Sequence, residues 1–296
     1  MADYLTAREL EPGLRVLLAP NPSPLTYEGT NTYVIGSDRV VVVDPGPDNA
    51  EHLSAIIKAI KGAIVEAVLV THSHLDHSPL AAKLGAQVGA PVVAFGGSVA
   101  GQSEHMAALA ASGEIGGGEG VETGFKPDGT LADQEVLDCG GFQISAIHTP
   151  GHMSNHLSFS VDDILLTGDH VMGWASSLIS PPDGDLTAFM ASCRRLQNRA
   201  DRIYYPGHGA AVTDPSERVE WLIDHRLGRE AQILNALSDP ATPPVLTRRV
   251  YTDIKPRLFP AAERNVLAHL IDLAQRGTIS VDGPHSMMAN YALSPK

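Results

Sequence analysis

The chain has 296 residues, 43% of them hydrophobic, and a formal net charge of −13. That length and apolar content suit one large α/β domain with a small one attached, and the sequence lacks the roughly 18-residue apolar run needed to span a membrane. The negative charge disfavours nonspecific adhesion to nucleic acid or anionic lipid.

In chain order, residues 16–19, 31–35 and 39–43 read as early strands, being short, apolar and partly β-branched. The third ends at Val43-Asp44-Pro45-Gly46. A helix is expected over 50–61, a buried strand over 67–70, a helix over 79–88 and a strand over 91–95. Residues 96–129 are glycine-rich, with little apolar periodicity after Leu109. They suit either a flexible lid or a plain surface excursion. A strand over 142–147 ends at His148, which is expected to pack or cap. Near residue 214 the pattern changes to helices. Asp214 is a fitting N-cap with Glu217 three residues later, and this helix runs to about 237. A short helical piece over 246–254, a helix over 261–276 and a strand-like wing over 277–281 follow.

The N-terminus, Met1 to Glu9, has no basic stretch followed by an apolar one, so no secretion signal is expected. Cys139 and Cys193 are widely spaced, which fits free thiols in a reducing compartment and an expected cytoplasmic location.

The run Thr71-His72-Ser73-His74-Leu75-Asp76-His77 directly follows the buried strand. Imidazole and carboxylate are donors that suit a divalent transition metal. Without a cation between them, titratable groups this close would repel or stay hydrated. On extended backbone His72 and His74 point the same way, and Asp76 and His77 follow where the chain turns into the helix. One pair can face one metal and the next pair a second. Thr149-Pro150-Gly151-His152, Leu166-Thr167-Gly168-Asp169 and Tyr205-Pro206-Gly207-His208-Gly209 each place a His or Asp after an apolar run and a tight turn.

These motifs, taken in order, resemble those of the metallo-β-lactamase-fold superfamily. The resemblance implies a four-layer αββα sandwich over residues 1–213, with the ligand motifs at one edge between two mixed sheets. Residues 214–296 resemble the winged-helix-like, α-rich C-terminal module of the β-lactamase-like protein 2 branch. Carried over, the pattern gives His72, His74 and His152 to one metal and Asp76, His77 and His208 to another. Asp169 would bridge them with a water or hydroxide. The cofactors implied are two divalent ions, zinc by default, with manganese or iron also fitting the donors. Asp44 would orient the ligand loop; its other reading is a cap for the 50–61 helix. Asp76 and Asp169 are the catalytic candidates, Asp76 as a group that orients the nucleophile or shuttles its proton.

A histidine at position 74 and an intact Asp169 resemble the hydrolytic branch and not the redox or antibiotic-degrading relatives. The implied activity is a dinuclear metal-dependent hydrolase acting on an ester, thioester, lactone, lactam or phosphodiester. The alternatives are a single-stranded RNA endoribonuclease of the β-lactamase-like protein 2 type and a mononuclear iron sulfur-dioxygenase-like enzyme. The expected partner is a small-molecule substrate. RNA stays open, a homodimer is allowed and a membrane is not expected. Arg194, Arg195, Arg199 and Arg202 read as a solvated helix face. His156 is balanced between ligand support and packing, and His170 is expected to face away from the metals. Thr30 and Asn31 are read either as hydrogen-bond donors to substrate or as part of an edge strand.

Overall fold

A computed structural model describes residues 3–139 and 142–295. Seven strands form the first sheet, in the spatial order β1 to β7: β1 (Arg8–Glu11), β2 (Leu14–Leu18), β3 (Asn31–Gly36), β4 (Arg39–Val43), β5 (Ile64–Leu69), β6 (Val92–Ala94) and β7 (Gly129–Thr130). The second sheet contains β8 (Val136–Cys139), β9 (Phe142–His148), β10 (Leu157–Val161), β11 (Ile164–Gly168) and β12 (Ile203–Pro206), in the order β12-β11-β10-β9-β8.

The period of two along each strand explains the layering. Val41 and Val43 of β4 point into the space between the sheets, where they meet Ile144, Phe159 and Leu166. Val40 and Val42 point the other way, onto Ile56 of α1 (Ala50–Ala59) and Leu84 of α2 (Leu80–Val88). In the second sheet Leu165 and Tyr204 face outward against Phe189 of α4 (Leu186–Gln197) and Leu222 of α5 (Pro215–Ala236). Both faces of both sheets are therefore covered, and the result is an αββα sandwich.

The C-terminal module has its own core. Ile233 and Leu237, at the end of α5, pack with Leu246 of α6 (Pro243–Val250) and with Leu267, Leu270 and Ile271 of α7 (Phe259–Gln275). A hairpin of β13 (Ile279–Val281) and β14 (Tyr291–Leu293) forms the wing. The α6 helix starts earlier than its apolar pattern suggests, because Pro243 sits at its first turn, where a missing N–H costs nothing.

The glycine-rich segment 96–129 is neither a bare lid nor a plain excursion. It contains α3 (Glu104–Ser112), whose Met106 and Leu109 join the C-terminal core. Val121 bridges to His74, and Glu122 N–H donates to Ser73 O at 2.8 Å. The segment thus braces the ligand loop from the side.

Candidate metal centre

Strand direction brings the site together. β4 and β5 are parallel, as are β11 and β12. Asp44 and the 72–77 loop leave the C-terminal ends of the first pair; Asp169 and His208 leave those of the second. His152 follows β9. The two sheets are tied at this edge by Leu157 N–H to Thr71 O (2.8 Å) and Asn31 N–H to Gly207 O (2.8 Å).

All seven sequence-selected side chains converge in two groups. His72, His74 and His152 form one; Asp76, His77, Asp169 and His208 form the other, and within each group the donor atoms lie within 4.8 Å of one another. His72 Nε2 and His152 Nε2 each sit 2.9 Å from His74 Nδ1. His77 Nε2 and His208 Nε2 are 3.3 Å apart. Asp169 Oδ2 lies 3.3 Å from His208 Nε2 and 3.7 Å from His152 Nε2, so its carboxylate spans both groups.

The opposite ring nitrogens show why these contacts suit a cation. His152 Nδ1 donates to Leu178 O (2.7 Å) and His208 Nδ1 to Gly29 O (3.0 Å), since a carbonyl only accepts. His77 Nδ1 donates to Asp44 Oδ2 at 2.8 Å. Thr71 Oγ1 gives its proton to Asp44 Oδ2 (2.7 Å) and therefore accepts from His72 Nδ1 (2.9 Å). Each of the four rings is locked with its proton on Nδ1 and its Nε2 lone pair aimed at the centre. In the neutral rings these inward lone pairs repel unless a positive charge lies between them, and at His77 and His208 a proton takes that place when no cation does. Asp169 Oδ1 is also buried, with no hydrogen-bond partner among the described residues. The residues present therefore fit a pair of divalent ions, with their outer hydrogen bonds fixing tautomer and ring angle.

Electrostatics separates the groups. Burial holds His72, His74 and His152 below the ordinary histidine range, with His74 near 3, so these rings are neutral and free to offer a lone pair to a cation. Burial acts the same way on His208 and His77, but the neighbouring carboxylates outweigh it. Asp169 and Asp76 raise His208 to about 10, and His77 is raised by Asp76, Asp169 and Asp44. Protons and a metal compete for the same atoms there.

Asp44 is not a helix cap. Asn49 caps α1 by accepting from His52 N–H, whereas Asp44 accepts from Thr71 N–H (2.7 Å), Thr71 Oγ1 and His77. His156 turns out to support the site: its Nε2 accepts from Asp169 N–H at 3.1 Å. His170 faces away and packs on the Phe189 ring. His148 stacks on Phe95 with centroids 3.9 Å apart. Thr30 and Asn31 lie beside the His208 turn at the start of β3, which is an inner strand and not an edge. Both are buried, and Asn31 Nδ2 donates to Pro206 O (3.0 Å) and Gly209 O (2.9 Å), holding the His208 turn. Three of the four arginines after Asp169 form ion pairs: Arg195 with Asp133, Arg199 with Asp201, and Arg202 with Glu11 and Asp163. The carbonyls of Gly29 and Leu178 and the Ser177 hydroxyl carry no sequence signal, because any residue offers a carbonyl and serine is common in turns.

Fold and site together define a class. The profile of the metallo-beta-lactamase superfamily matches residues 25–208, and that of the beta-lactamase-associated winged helix domain matches residues 242–284. The chain belongs to the metallo-beta-lactamase superfamily, and its activity class is that of a metallohydrolase. Among relatives, it is 28% identical over 275 residues to the beta-lactamase-like protein 2 homolog of Drosophila melanogaster, covering 90% of this chain and 89% of that protein. It is 29% identical over 238 residues to the atrochrysone carboxyl ACP thioesterase of Aspergillus fumigatus, covering 78% of this chain and 66% of that protein. The crystal structure of a metallo-beta-lactamase family protein from Thermus thermophilus superposes with a TM-score of 0.77 at 25% identity, covering 96% of this chain and all of that one.

Proposed function

We propose that this protein is a dinuclear hydrolase that cleaves a thioester or related activated carbonyl. The observation that carries the reading is the convergence of four tautomer-locked imidazoles on two points with Asp169 between them. Both ligand groups are complete, which favours two ions over one iron. Divalent ions held there would lower the pKa of a water to about 7 and offset charge developing on a carbonyl oxygen.

The protein's own groups divide the remaining work. Asp169, buried and held well below the carboxylate range by His208 and His77 against the effect of burial, keeps its charge and sets the spacing of the two groups. Asp76 is the more open carboxylate, its side chain 24% exposed, with Oδ2 3.1 Å from His208 Nε2. It is placed to orient the attacking water and to pass its proton to the leaving group. A thiolate leaving group needs little protonation, which suits a single partly exposed carboxylate. The thioesterase relative supports this substrate class. The net charge of −13 and the paired arginines count against a polyanionic substrate.

The test combines metal analysis with a hydrolysis screen of acyl thioesters, lactones, a chromogenic lactam and single-stranded RNA. Two metals per chain and thioester turnover are expected, with Asp76→Asn slowing turnover at least about 100-fold. One iron per chain with oxygen uptake would overturn the reading, as would cleavage of RNA alone. Full turnover in Asp76→Asn would remove the role given to that carboxylate.

A further inference from the structure

The C-terminal module reaches back to the segment that follows Asp169. From α5, Arg218 donates to Met172 O and Ala175 O, both at 2.7 Å. Arg226, also on α5, donates to Ser177 O and, at 3.1 Å, to Asn265 Oδ1 of α7. That same Oδ1 accepts from Ile179 N–H at 3.1 Å. Arg264 of α7 donates to Ser180 Oγ (2.8 Å) and to Pro181 O.

The segment so held carries two of the groups that fix the metal centre. Ser177 Oγ shares its proton between Asp169 O (2.5 Å) and His170 O (2.9 Å). Leu178 O accepts from His152 Nδ1. The backbone alternates here: the carbonyl of Ser177 faces the module and the next carbonyl faces the ligand. A shift of the peptide between them would move His152 and Asp169 together.

Arg226 is costly for a packing residue. It is 2% exposed, and among the described residues its polar partners are a carbonyl and an amide oxygen, with Phe189 under the guanidinium 5.2 Å away. Taking such a charge out of water is unfavourable, and an apolar residue of like volume would avoid that cost. What the guanidinium supplies is a rigid planar fork with donors in fixed directions. Asn265 completes it, with one oxygen receiving both the fork and the Ile179 N–H.

We propose that Arg226 and Asn265 are positioning residues of the metal centre: through Ser177, Leu178 and Ile179 they hold His152 and Asp169 in register, so the winged-helix module completes the site. This rests on the dinuclear reading above.

The experiment measures Zn2+ affinity in chelator-buffered titrations, kcat and KM on an acyl thioester, and thermal unfolding. It uses the 296-residue wild type, Arg226→Gln, Asn265→Leu, Asn265→Asp and Arg229→Gln. Arg229 is the control, since it lies on the same helix but bonds Gln232 and Val250. Arg226→Gln and Asn265→Leu are expected to lose at least about 10-fold in affinity of the more weakly held Zn2+ and in kcat, with KM little changed. Asn265→Asp keeps the acceptor and should stay near wild type, and Arg229→Gln should change only the melting temperature. Wild-type Zn2+ affinity and kcat in Arg226→Gln and Asn265→Leu would overturn the proposal alone. A wild type that binds no Zn2+ would overturn it together with the functional reading.

Discussion

Asp44 Oδ2 accepts from His77 Nδ1 at 2.8 Å while the same carboxylate takes both the amide and the hydroxyl proton of Thr71. One side chain thereby fixes the proton on His77 directly and on His72 through Thr71. Asp44 adopts φ +49°, a left-handed conformation that costs a non-glycine residue on the order of 1–3 kcal/mol. Its three buried hydrogen bonds offset that cost.

Asp44→Asn should separate charge from backbone shape, because asparagine tolerates the left-handed region. Its amide would place N–H groups against protons already pointing inward, and His77 would have to move its proton to Nε2. Metal affinity is expected to fall roughly 10- to 100-fold with the fold retained. Competition titration with a chelator, alongside circular dichroism, measures both; unchanged affinity would refute the role.

Gly207→Ala tests the turn before His208. A Cβ there would lie 2.5 Å from Asp169 Oδ1 and 2.7 Å from His77 Cε1. Neither group can yield without leaving its place in the site. A displacement of this size is expected to lower kcat on the order of 100-fold. Steady-state kinetics on the purified variant decide it, and turnover within a few-fold of wild type would contradict the packing argument.

His269 on α7 is buried with neither ring nitrogen hydrogen-bonded among the described residues, so His269→Leu should stabilise the chain by roughly 1–3 kcal/mol. Burial holds its pKa well below 6.5, with nearby arginines acting the same way. The sign follows: below pH 6.5 the unfolded chain takes up a proton that the folded chain refuses, so stability falls with pH by about 1.4 kcal/mol per unit for each such group. His170, near 3, and His52, near 4, add to the slope for the same reason. Urea midpoints at pH 7, 6 and 5 should show a shallower acid slope in His269→Leu. A parallel slope would mean that His269 is protonated in the fold.

Metal removal should destabilise the protein, because the ligand groups bind ions only when assembled. Free Zn2+ at 100 times its Kd would add about 2.7 kcal/mol per site. Melting curves across a buffered zinc series give the shift, and a melting temperature indifferent to zinc would count against the site.

The sequence alone determined the inner strands β3, β4, β5 and β9, because β-branched apolar runs bury themselves whatever their partners, whereas β1, β7, β8 and β10 carry no such run and form only by pairing with them. The resemblance of its motifs singled out seven polar residues, and the structure brings their donor atoms together in two groups. The tertiary structure decided how these residues are held. Gly29 O, Leu178 O, Asn31 and Arg226 have no local pattern, since a backbone carbonyl is invisible in a sequence and a buried arginine on a helix looks like a solvated one. Such supports act between segments far apart in the chain, as from Arg226 to Ser177 or from His208 to Gly29. Their geometry exists only after the two sheets and the C-terminal helices have packed together.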